Sequence, residues 1–148
     1  MDDFEIGRLL GRFETLLEDI PDKKKYLENL ETQLRYRYNI IELAKMYGKI
    51  EQKLIISGKD PNYINGIREL FKEIEISHVN EFRKKSIKDL RLRNFPLKSL
   101  NSNNLFTVED VSNKTFEEIV SINGISELSA NMLRDTLEKN GVHFKRQN

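Results

Sequence analysis

From Ile6 to Ile20 the apolar residues Ile6, Leu9, Leu10, Phe13, Leu16, Leu17 and Ile20 recur at three- and four-residue steps, and the same spacing returns, with interruptions, along most of the chain. That period draws one stripe along an α-helix and does not serve a strand, whose alternate residues share a face. No segment between turn signals alternates in the way a half-buried strand requires. Three prolines and seven glycines in 148 residues leave few breakers. The expected fold class is therefore all-α.

The first helix is expected from about Asp3 to Asp19, stopped by Pro21, with Asp22 as N-cap of the next. The second pattern, Lys23 to Ser57, carries Leu27, Leu30, Leu34, Tyr38, Ile41, Tyr47, Ile50 and Leu54 on its stripe. A single helix of about 35 residues would be about 50 Å long. It must extend past its neighbours, pair with another chain, or break near Gly48. Gly58 suits the left-handed position after its end. A third helix is expected from Asp60-Pro61, with an apolar face of Ile64, Ile67, Leu70, Phe71 and Ile74 extended by Val79 and Phe82. It ends near Arg83-Lys84-Lys85, where cations meet the negative pole of the helix. Residues 1–83 are expected to form a helical hairpin or coiled coil that binds a partner or oligomerises.

Residues 84–148 change style to short helices with explicit caps. Thr107-Val-Glu-Asp110 and Thr115-Phe-Glu-Glu118 both read as capping boxes, the second with the better third residue. Ser126 is placed to cap a last helix running to about Lys139, and Gly141 to close it. Ile87, Leu90, Leu92, Leu97, Leu100, Leu105, Val108, Val111, Ile119, Ile122, Leu128, Leu133, Leu137 and Phe144 are expected to fill one small core. Between the last two helices lies Ile122-Asn-Gly-Ile-Ser126. Gly124 allows a backbone angle closed to other residues, Ile125 is an anchor, and the helix that follows begins with amide groups lacking partners. Such a corner gathers N–H donors at the positive end of a dipole and suits a phosphate, without reading bases.

The segment "IKDLRLRNFPLKSLNSNNLFTVEDVSNKTFEEIVSINGISELSANMLRDTLEKNGVHF" resembles the C-terminal domain of the bacterial RNA polymerase alpha subunit. The opening "IKDLRL", the "LFTVEDV" step, the "TFEEI" segment, the Gly-hydrophobic turn and a late "LEKNG" follow that family's order without a gap. The resemblance covers about residues 86–145 and implies a helix-hairpin-helix domain that contacts the DNA minor groove, activators and sigma. Its DNA-facing surface maps onto the start of the first helix of the domain and onto the hairpin. The family's groove-entering arginine falls on Phe95, its neighbouring asparagine on Lys98, the second hairpin glycine on Ser126 and a hairpin lysine on Leu128, while a serine is kept as Ser129. Phenylalanine supplies no charge to a narrow, electronegative groove, so the family's arginine-type groove binding is not expected here. Phe95 is read as a core residue reached through a register shift at Pro96, with an exposed protein-contact anchor or a wedge against a base step as the alternative. The candidate binding residues are Arg91, Arg93, Phe95, Lys98, Asn123, Gly124, Ser126 and Ser129.

Charge sharpens this expectation. The chain carries 25 Lys and Arg against 24 Asp and Glu, balanced through Lys85 at 16 of each. Arg83 to Lys98 then holds seven cations against Asp89, a net of +6, and Ser99 to Glu138 two cations against seven acids, a net of −5. One side of the second domain is suited to phosphates or an acidic protein, the other to a basic partner. Its bland alternative is a solvated basic linker followed by a mixed surface. Arg35-Tyr-Arg-Tyr38 mixes basic and aromatic residues as single-strand binders do, but on a helix these positions diverge. His78 and His143 lie far apart, no thiol exists, and there is no P-loop, dinucleotide fingerprint or nucleophile elbow. No catalytic residue, metal or cofactor is therefore expected. The absence of cysteine, of a long apolar run and of a signal-like start at Met1-Asp2-Asp3 fits a cytoplasmic protein.

The expected function is that of a non-enzymatic adaptor associated with DNA or transcription, bacterial or phage in character. DNA backbone and a protein partner such as RNA polymerase are the expected contacts, with oligomerisation through the N-terminal helices. The alternatives are a protein-interaction module without nucleic acid and a structural oligomeric scaffold.

Overall fold

A computed structural model describes residues 3–18 and 20–147. Met1, Asp2, Asn148 and Asp19, the last of which is the expected end of the first helix, lie outside the described residues. Among the described residues the protein is all-helical, with eight α-helices, one 3₁₀ turn and two isolated bridges instead of strands. No described helix is long and apolar enough to cross a membrane.

Two compact units divide the chain, Met1–His78 and Val79–Asn148. The division falls five residues before the boundary expected at 83, inside a helix. Phe82 is buried in the second unit's core and Val79 packs against it, so the last turn of that helix already belongs to the second unit.

The first unit contains α1 (Asp3–Leu17), α2 (Lys23–Arg37), α3 (Ile40–Ile56) and the greater part of α4 (Pro61–Arg83). The expected long second helix is thus two helices, and the break is not at Gly48, which lies inside α3. Tyr38 is extended, and the Asn39 side chain accepts from the Glu42 N–H at 2.9 Å, starting a new helix. The break shifts the phase of the stripe. Leu30 and Leu34 are followed inward by Ile40, Leu43, Met46, Ile50 and Leu54, while the expected Ile41 is 43% exposed. Four helices, where three helical segments were expected, therefore close one core around Phe13, Leu16, Ile50, Ile67 and Ile74. Tyr47 stacks on Phe71 with centroids 4.6 Å apart, and an Arg68–Glu51 ion pair lies on the same α3–α4 side.

The helix ends follow local chemistry. Asp60 caps α4 through the Asn62 N–H at 2.7 Å, with Pro61 at the first helical position. Gly58 (φ 71) and Gly141 (φ 76) take the left-handed turn after α3 and the last helix. In both places paired N–H bonds run back to the last carbonyls, Lys59 to Leu54 and Val142 to Leu137. Asp22 departs from expectation. It is left-handed (φ 54), and its side chain makes no cap bond. Arg35 and Arg37 do diverge, one donating to Ser77 and the other to Glu5, and Tyr36 between them is 92% exposed.

In the second unit the 3₁₀ turn Ile87–Leu90 is followed by α5 (Leu97–Asn101), α6 (Val108–Ser112), α7 (Phe116–Val120) and α8 (Glu127–Lys139). The basic stretch after α4 is not a free linker. Ile87 donates to the Phe106 carbonyl and Val108 to that of Lys85, both at 2.9 Å, while Leu90, Leu92 and Phe95 pack against the core. The core follows the expected pattern with one clear exception, Leu128, which is 81% exposed.

Both capping boxes form, and the tighter is the one at Thr107. The Asp110 carboxylate accepts from the Phe106 and Thr107 N–H groups at 2.9 and 3.0 Å, against 3.4 Å for Glu118 with Thr115. These donors, Phe106 foremost, hold the Asp110 carboxyl below the ordinary carboxylate range. A lowered folded-state pKa contributes stability that is complete above the unfolded value, about 4, and is lost as the pH falls through the folded value. Asp110→Asn is expected to flatten the acid limb of the stability curve in that window. Urea unfolding at several pH values between about 2 and 5 reads it, and an unchanged pH slope counts against the contact.

Candidate functional site

The corner between α7 and α8 is built by three residues. After Ser121 closes α7, the chain turns with Ile125 N–H donating to Ile122 at 3.1 Å. Gly124 stands at φ 95, outside the range of residues with a side chain. Ile125, 6% exposed, pins the turn to the core. Ser126 is extended, and its hydroxyl accepts the Ser129 N–H at 3.1 Å, which orients the first turn of α8.

The first turn of α8 keeps open donors. The Ser129 amide is taken by the cap, and the Ala130 amide by the Ser126 carbonyl at 3.0 Å. Among the described residues the amides of Glu127 and Leu128 have no acceptor, and both residues are exposed. They sit at the positive end of a 13-residue helix. The Ser126 hydroxyl donates to the Ser129 hydroxyl at 3.1 Å, so Ser129 keeps its own proton to offer. Glu127 opposes this arrangement, because its carboxylate belongs to the same first turn.

The helix α5 reaches the corner. A Cβ added to Gly124 would lie 2.4 Å from Ser99 Oγ and 3.4 Å from Ser99 Cβ. Ser99 follows Lys98 in the first turn of α5, so the helix that approaches the corner is the one that carries Lys98. Lys98, Asn123, Gly124 and Ser126 are exposed, and Ser129 is half-buried. Arg91 and Arg93 are exposed on the loop leading into α5, where Arg91 (φ 52) and Asn94 (φ 55) both take left-handed backbone. Phe95 stands apart from this set. It is half-buried against the hydrophobic core, so it is first of all a packing residue.

Two features were not read from the sequence. The approach of Ser99 is a long-range contact, signalled only indirectly by the glycine that makes room for it. The other is how the basic stretch divides. Arg83 pairs with Glu109 at 3.4 Å and Lys84 with Glu81 at 3.3 Å. Lys85, Lys88, Arg91, Arg93 and Lys98 are exposed and have no acidic partner among the described residues. No protein-family model, curated protein or solved structure matches this chain.

Proposed function

We propose that the protein is a non-enzymatic adaptor associated with DNA or transcription. Its second unit acts as a helix-hairpin-helix domain of the kind found at the C-terminus of the RNA polymerase alpha subunit. Its first unit recruits a partner, RNA polymerase being one candidate, or a second copy. The observation that carries this reading is the pair of exposed, unbonded amides at Glu127 and Leu128 beside the helix that bears Lys98. Backbone donors and unpaired cations hold phosphates and leave base sequence unread. With Phe95 packed against the core, affinity without strong base preference follows.

Anisotropy titration of a short labelled duplex at low salt tests this reading. Binding is expected, and Lys98→Gln should reduce the slope of log K against log salt by about one. Glu127→Gln removes a charge that repels phosphate and should tighten binding. No binding at low salt ends the DNA reading. The exposed Leu128 then favours the second one, an interaction module whose apolar corner contacts a protein.

A further inference from the structure

A cleft in the first unit lies between α1 and α2 and is floored by α3. Its rim carries Arg8, Arg12 and Arg37 with one carboxylate, Glu5, and its floor is apolar, made by Leu9, Leu34 and Met46. The three guanidiniums are unequally matched. Arg37 pairs with Glu5 at 3.3 Å. Arg12 donates to the neutral amide of Gln33 and lies 5.6 Å from the centre of the Tyr26 ring. Among the described residues, Arg8 has the exposed Phe4 ring 5.8 Å away and no hydrogen-bond or ion-pair partner. Among the described residues, three cations against one acid give the rim a charge of +2, and two of the cations stand one helical turn apart on α1, where like charges repel. An anion between Arg8 and Arg12 would relieve that repulsion and meet two forked donors suited to phosphate oxygens.

We infer that this cleft binds a small phosphate ester with an apolar substituent, the phosphate held by Arg8 and Arg12 and the substituent lying on Leu9, Leu34 and Met46. The apolar floor sets the site apart from a plain cationic patch. An inorganic ion uses only the rim, whereas an ester also covers the floor. The site lies wholly in the first unit and does not depend on the corner in the second.

Calorimetric titration of the full chain with hexyl phosphate and with inorganic phosphate tests the inference. Hexyl phosphate is expected to bind about threefold or more tightly than inorganic phosphate, the gain from covering the small apolar floor. Arg8→Gln and Arg12→Gln should each weaken hexyl phosphate by about tenfold or more, as loss of a charge-assisted contact does. Lys139→Gln, an exposed cation outside both proposed sites, should leave it unchanged. Equal affinity for the two probes overturns the inference, as does undiminished binding by the Arg8→Gln/Arg12→Gln double variant or no binding of either probe. The probe comparison uses the unaltered protein and so holds whatever the variants do to folding. DNA binding by the second unit is read separately, so failure of either proposal leaves the other standing.

Discussion

Phe13→Ala is expected to destabilise the first unit by about 3–5 kcal/mol. Phe13 is fully buried in the middle of α1, at the centre of the core that α1 shares with α2, α3 and α4. Removing the ring deletes its transfer free energy and leaves a cavity that four packed helices fill only in part. Domains of this size hold about 5–15 kcal/mol in all, so the loss is a large share. Tyr36→Ala is the matched control. That ring is 92% exposed, and its removal should change stability by no more than about 0.5 kcal/mol. Urea unfolding followed by circular dichroism separates the two, and similar midpoints for both variants would contradict the assigned core.

The second large effect is expected at the corner. Gly124→Val should destabilise the second unit by about 2–4 kcal/mol, combining the strain of a β-branched residue at positive φ with overpacking. The backbone stands at φ 95, and the new Cβ would meet Ser99 Oγ at 2.4 Å. Ser99 is a small side chain that rotates, so the steric share is relieved more readily than the dihedral share. Ser99→Gly placed behind Gly124→Val should therefore recover only part of the loss. Full recovery would assign the cost to contact alone, and no loss in the single variant would mean that the turn differs from the one described.

Local chemistry was legible in the sequence. Asp60-Pro61, the boxes at Thr107 and Thr115, the Ser126 cap and the glycines at 58 and 141 all act within a few residues, and each forms where its spacing puts it. What failed was phase. Tyr38 and Ile41 continue the stripe of Leu30 and Leu34 well enough to suggest one long helix. Asn39-Ile-Ile-Glu42 in the same stretch carries the spacing of a helix start, and that signal decides the break. Leu128 was misplaced for a related reason. It matches the core spacing of α8 but occupies the first turn, beyond the buried positions Ala130, Leu133 and Leu137. At the candidate site, the turn and its cap could be read locally. Phe95, beside Pro96, was readable as a core residue and is half-buried against the core. The approach of Ser99 depends on packing between segments that the spacing does not encode.

The central claim is that the open amides at the start of α8 receive a phosphate. Proton–nitrogen correlation spectra of the full chain, recorded while a short DNA duplex is added at low salt, test it most directly. The largest shifts are expected at the amides of Glu127 and Leu128, with smaller ones at Lys98 and Ser99. Shifts confined to other surfaces, or none at any position while the duplex is in excess, would contradict it.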